Sequence, residues 1–103
     1  MAAETVTVTR IYLREGEHLL AGLLKLLHDE EKTAGLTVFR GIAGFGADGS
    51  MHLSSLSDLS LDLPLIIEFY DTPERAAAIL QRLYHYPGVK HLISWQALSF
   101  QKP

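Results

Sequence analysis

The side chains able to do chemistry in this 103-residue chain are few, and their spacing restricts what they can do. There is no cysteine, which removes disulfides, thiolate nucleophiles and cysteine-ligated zinc or iron–sulfur sites. The histidines, His18, His28, His52, His85 and His91, include no pair three or four residues apart, the spacing that puts two ligands on one helix face. His52, close to Asp58 and Asp62, has the most suggestive setting, but a metal would need three converging ligands, and none is assigned. Ser50, Ser54, Ser55, Ser57 and Ser60 form a polar stretch, and none stands in a nucleophile-elbow context. Glu68 is the one carboxylate set between apolar neighbours on an expected strand, which makes it the candidate for acid–base work. A strand-end glutamate bonded across a subunit interface accounts for it better. No catalytic residue is assigned, and the chain does not read as an enzyme.

Binding chemistry is more promising. Arg40-Gly41-Ile42-Ala43-Gly44-Phe45-Gly46-Ala47-Asp48-Gly49 places four glycines in ten residues. Without a Cβ, such a stretch lets a backbone or a ligand approach closely. Arg40, just before the glycines, can grip a phosphate or carboxylate with its fork of donors, or equally form a surface or intersubunit ion pair. Lys90 could add one phosphate contact, although a solvated lysine after a turn is the simpler reading. Phe45 is expected to anchor the base of the loop by packing, and could also serve as a stacking platform.

These residues must be positioned by a scaffold. Thr5 to Leu13 is rich in β-branched residues and reads as a strand, with Val6, Val8 and Tyr12 on one side and Thr7, Thr9, Ile11 and Leu13 on the other. From Glu17 to Glu31 the leucines at 19, 20, 23, 24, 26 and 27 recur at spacings of three and four, predicting a helix closed near Gly35. Leu36 to Phe39 is a short second strand. The segment from Ile42 to Asp62 is the longest without clear structure, yet Met51, Leu53, Leu56, Leu59 and Leu61 give it apolar surface with which to dock. Leu63 to Tyr70 is the third strand. Asp71-Thr72-Pro73-Glu74 starts a second helix, with Asp71 or Thr72 as its cap and Pro73 in the first turn. Tyr86-Pro87-Gly88 ends that helix, and His91 to Phe100 is the last strand.

The order βαββαβ predicts an α+β ferredoxin-like plait, a four-stranded antiparallel sheet with two helices on one face, filling a single domain over residues 1–103. The second face of such a sheet is uncovered. Both parities are apolar in the later strands: Leu65, Ile67 and Phe69 against Ile66 and Tyr70, and Ile93 and Trp95 against Leu92, Leu98 and Phe100. A monomer would leave one set in water, so an oligomer with facing sheets is expected, Trp95 being buried at the subunit interface. A net charge of −3 with scattered basic residues argues against nucleic acid. The N-terminus lacks the features of a signal peptide, and no apolar run approaches the ~20 residues of a membrane span. A cytoplasmic protein with no direct membrane insertion is expected.

The word Arg40-Gly41-Ile42-Ala43-Gly44-Phe45-Gly46 after the second strand resembles the PII-like signal-protein superfamily, and more closely its DUF190 family. Arg10-Ile11-Tyr12, the segment from Asp58 to Glu68, and Asp71 add to the likeness, which spans roughly Thr9 to Phe100. The resemblance implies a homotrimer with sheets facing inward and ligand clefts between subunits. In PII proteins the Gly-Phe-Gly turn lies against an adenine nucleotide, while the long loop reaches a partner, often a membrane transporter or an enzyme. Carried over, this nominates Gly44, Phe45 and Gly46 as cleft-lining, beside Arg40, Gly41 and Lys90, with an adenine nucleotide as effector rather than a resident cofactor. Family members are often encoded beside fluoride-exporter genes, which makes a membrane transporter a candidate partner. The chain departs from PII proteins in two places. Between the second helix and the last strand, Tyr86-Pro87-Gly88-Val89-Lys90 offers one glycine and one lysine where PII proteins have a glycine-rich phosphate-binding stretch. The loop also has no tyrosine to match the uridylylation site.

Overall fold

The computed structural model of the protein describes residues 1–53 and 62–103. Strand β1 (Glu4–Arg14) leads through a short 3-10 turn (Glu15–Glu17) to helix α1 (Leu20–Leu24), which continues as a π-helical segment (Lys25–Glu30). Then follow β2 (Gly35–Arg40), the short strands β3 (Ala43–Phe45) and β4 (Met51–Leu53), β5 (Pro64–Asp71), helix α2 (Pro73–Tyr84) and β6 (Leu92–Ser99). The four long strands form one sheet in the order β2-β5-β1-β6, every neighbouring pair antiparallel. This is the expected ferredoxin-like plait, an α+β fold, with β3 and β4 added to it as a separate two-stranded ribbon.

The faces follow from the period-two alternation of a strand. Ile11 and Leu13 of β1 and Leu65, Ile67 and Phe69 of β5 point into the helix layer. There they pack with Leu23, Leu26 and Leu27 of the first helix and Ile79 and Leu83 of α2 in one buried cluster. Leu92 packs against this cluster as well. The opposite face carries Val8, Arg10, Ile66, Glu68, Tyr70, Ile93 and Trp95 by register. In β6 the division therefore differs from a set containing Leu92: it is Ile93 and Trp95 that stand away from the helices.

The first helix differs from expectation in its internal hydrogen bonding. Leucine spacing marks which side meets the sheet, but not whether each turn closes at four or five residues. Here the second half is π-helical, and Glu31 N donates to Leu26 O at 2.8 Å. Gly35 does not cap this helix. It is the first residue of β2, and its missing Cβ makes room for the Tyr70 ring, which would clash with any side chain there. Helix α2 starts as its sequence signals, with Pro73 in the first turn and the Thr72 hydroxyl accepting from Arg75 N at 3.3 Å.

Candidate functional site

In this topology the end of β1, the end of β2, the start of β5 and the start of β6 meet at one end of the sheet. Arg14 pairs with Pro64, Arg40 with Leu65, and Ile11 with Leu92, while Tyr12 N donates to His91 O at 3.1 Å. Arg40, Gly41, Gly44 and Lys90, separated by up to half the chain in sequence, are thereby carried to the same end.

The centre of this end is the turn that leaves β1. Three consecutive residues hold three different segments. Glu15 forms an ion pair with Arg40 through the Arg40 Nε, and its own backbone N–H donates to Leu63 O at 3.0 Å. Gly16 N donates to the Asp62 carboxylate at 2.8 Å, and Arg14 Nη1 grips the other oxygen at 2.6 Å. A Cβ at Gly16 would lie 2.8 Å from that carboxylate, so any other residue there would have to push the Asp62 side chain aside. Glu17 accepts from Arg14 N at 2.7 Å with one oxygen and faces Lys90 Nζ at 4.0 Å with the other. The bond to Glu15 raises the Arg40 pKa above its ordinary value.

Sequence reasoning does not single out Glu15, and it marks Asp62 and Pro64 only within the Asp58 to Glu68 segment of the family likeness, Asp62 also as a neighbour of His52. The signal available is the alternation of acid and glycine in Glu15-Gly16-Glu17 directly after a strand.

The glycine word does not act by one mechanism. Gly41 N donates to Pro64 O at 2.8 Å, and Cβ atoms at Gly41 and Gly44 would meet the Pro64 ring at 3.2 and 2.9 Å. Those two glycines seat the chain against Pro64. Gly46 has open space around it among the described residues, and within the word only Gly49, at φ +76, uses a left-handed backbone. Gly49 closes the turn between β3 and β4, with its N–H bonded to Gly46 O at 3.0 Å and Ser50 N to the Asp48 carboxylate at 2.9 Å. Gly44 and Phe45 thus belong to a strand rather than an irregular loop, with Phe45 opposite Met51. Among the described residues Phe45 is not a packing anchor. It is 70 % exposed, as Ile42 is 81 % and Met51 57 %.

Gly44→Ala should cost about 1–2 kcal/mol, because the Pro64 ring must move for the added methyl. Gly46→Ala should stay within about 0.5 kcal/mol, because space is open there. Urea unfolding of both variants checks this contrast.

Beside the Arg40–Glu15 pair lies an open hollow of about 650 Å³ whose walls include His18, Leu20, Leu24, Val38 and Leu65, with Arg40 and Glu15 on the lining. His18 reaches it from a left-handed backbone position, φ 56, at the break between the 3-10 turn and α1. Lys90 stands outside this hollow, its side chain 77 % exposed.

Glu68 is not at a strand end, and it has a partner within its own chain. It sits within β5, directly opposite Arg10 of β1, and accepts from Arg10 Nε at 2.8 Å. The Arg10 guanidinium also lies 5.5 Å from the Trp95 ring and 5.9 Å from the Phe39 ring. The cross-strand register puts these two charges side by side, and the Glu68 carboxylate raises the Arg10 pKa. Among the described residues no group of three or more histidine, aspartate or glutamate side chains could hold a metal ion. The combination of His52 with Asp58 falls outside the described residues. Among the described residues no helix is long and apolar enough to cross a membrane.

Comparison with known proteins follows the same lines. Residues 6–97 match the DUF190 family, described as an uncharacterized ACR. A UPF0166 protein of Methanocaldococcus jannaschii is 37 % identical over 82 residues, covering 75 % of this chain and 74 % of that one. A UPF0166 protein of Aquifex aeolicus is 35 % identical over 72 residues, 70 % of this chain and 73 % of that one. Among solved structures, CPII of Thiomonas intermedia bound to ADP and bicarbonate superposes with a TM-score of 0.68 at 16 % identity, covering 95 % of this chain and 91 % of that one. A Thermus thermophilus structure, described as that of a PII-like signaling protein, gives 0.65 at 18 % identity, covering 96 % and 91 %. At these identities the structural likeness speaks for the fold.

Proposed function

The chain belongs to the DUF190 family, with a PII-like fold, and from that premise we propose that it is a cytoplasmic regulatory protein that binds an adenine nucleotide in clefts between subunits. In this reading it assembles as a homotrimer through the open face of its sheet. It presents the segment after Arg40 to a partner protein, for which a membrane transporter is the leading candidate. The observation that carries the reading is the convergence at one end of the sheet of Arg40, Gly41, Gly44 and Lys90 with an apolar hollow beside Arg40. A guanidinium beside an apolar wall suits a ligand with an anionic group on a flat body. ADP in CPII of Thiomonas intermedia is such a ligand.

Signalling requires the ligand to prefer one arrangement of the partner-facing segment. That segment starts at the β3–β4 ribbon, whose exposed Ile42, Phe45 and Met51 supply apolar surface for a partner. No catalytic role is given to Glu68, since Arg10 already engages its carboxylate.

Calorimetric titration with ATP, ADP and AMP tests the proposal. Saturable binding is expected, weakened about tenfold or more by Arg40→Gln, a loss of the size expected when a charged hydrogen bond is removed. Absence of heat across all three nucleotides overturns it. One observation favours a second reading, a ligand-independent interaction module: Arg14, Arg40 and Lys90 each already face a carboxylate of their own chain. Partner capture that survives exhaustive dialysis and needs no nucleotide would decide for that reading.

A further inference from the structure

The pairing that favours the second reading has another consequence for the first. We propose that Glu15 is a built-in competitor for the ligand: its carboxylate occupies the Arg40 guanidinium that a ligand's anionic group would otherwise take. This inference rests on the ligand reading above and specifies how that site is regulated.

Three features support it. First, Glu15 is not an arbitrary surface partner. Its backbone is fixed by the bond to Leu63 O, and the next residue is fixed by Asp62, so the carboxylate is delivered to Arg40 by a tied-down turn. Second, exposure is unequal. The Glu15 side chain is 21 % exposed and that of Arg40 54 %, so the guanidinium keeps open edges on which an incoming anion can begin to displace the resident one. Third, both residues line the hollow beside α1, so a molecule seated there meets the pair itself and not one member of it.

The competition also couples binding to the ribbon. Arg40 is the last residue of β2, and Gly41 and Gly44 follow directly against Pro64. While Glu15 holds Arg40, the root of the ribbon is tied to the turn after β1. When a ligand anion takes Arg40, that tie is exchanged for one to the ligand. Lys90, 4.0 Å from Glu17 and largely exposed, is held far less firmly, which places the gate at Arg40.

The test uses ADP as the probe on the full chain. Glu15→Gln keeps the size of the side chain and removes its charge, and should tighten ADP binding about fivefold, the scale of an exposed ion pair that no longer has to be broken. The gain should vanish in the Arg40→Gln background. Glu74→Gln, which removes the same charge in the first turn of α2, should leave affinity unchanged. Glu15→Ala gives a second route to the same loss of charge, and circular dichroism with thermal unfolding establishes that each variant is folded. If the wild type binds ADP and folded Glu15→Gln binds equally or more weakly, the competitor is overturned while the ligand reading stands. An equal gain in Glu74→Gln overturns it too, since the effect is then one of net charge. If neither the wild type nor either Glu15 variant binds, both readings fall together.

Discussion

Asp71→Ala is expected to lower the free energy of unfolding by about 2–3 kcal/mol and the melting temperature by roughly 10–20 °C. The Asp71 side chain is almost completely buried at the end of β5 and serves three donors. It accepts from Thr72 N at 2.8 Å, from Arg75 Nε at 3.1 Å and from Ala34 N at 3.2 Å. Arg75 in turn donates to the Glu31 backbone carbonyl, so one carboxylate joins the start of α2, the approach to β2 and the end of the first helix. Alanine would leave two backbone N–H groups and the Arg75 guanidinium without the acceptor that joins them, which accounts for most of the loss. Asp71→Asn, which retains an acceptor but not the charge, should lose about half as much. Denaturant unfolding of both variants measures this, and equal stability of Asp71→Ala and wild type would mean that the three donors find other partners at no cost.

The second large effect concerns the open face of the sheet. Trp95→Glu should leave the chain folded, because Trp95 stands away from the core and is 41 % exposed. It should abolish self-association. Ile93, Trp95 and Phe39 form with the Arg10–Glu68 pair a mostly apolar surface, and at ~25 cal/mol per Å² several such side chains contribute many kcal/mol when another copy covers them. A glutamate placed there would have to be buried beside an Arg10 guanidinium that Glu68 already engages, leaving one carboxylate in excess, which is far more costly than the packing it replaces. Sedimentation equilibrium should show an assembly for the wild type and a monomer for the variant. Nucleotide affinity should fall with assembly, since the proposed clefts lie between subunits. A monomeric wild type would remove the intersubunit site from the reading, and an unchanged mass for the variant would remove the open sheet face as the interface.

The plait was legible because its signals are local. β-branched runs, a leucine stripe and the Asp71-Thr72-Pro73 start each describe one element, and the sheet order follows from their succession. The first helix shows where locality stops, since leucine spacing specifies a face and not the hydrogen-bond step that presents it. The β3–β4 ribbon was missed because its three-residue strands are short and one is made mostly of glycine and alanine, which carry little strand propensity. Its one available signal was Asp48-Gly49, a turn pair that does close the hairpin.

At the site, Arg40 and Lys90 could be nominated from their types, and the structure brings them to the same end. Their partners could not be read, because Glu15 and Arg40 are neighbours only through β5, which lies antiparallel between β1 and β2 and brings the ends of both to the same edge. The reading of Glu68 as a strand-end residue fails for the same reason. A carboxylate between apolar residues looks isolated in sequence, while its cross-strand neighbour, Arg10, lies far away along the chain.

The turn after β1 ties Arg40 through Glu15 and Asp62 through Gly16, so the two ends of the intervening segment are anchored to adjacent residues. Once its ends are fixed side by side, the length of what runs between them matters little to the fold, since doubling the length of a loop adds only about 0.6 kcal/mol in closure entropy. Glu15 and Gly16 thus make a socket, and the stretch beyond the glycines seated on Pro64 becomes an exchangeable cassette. Selection, or an engineer, can lengthen or rewrite it for a new partner while the scaffold beneath stays the same.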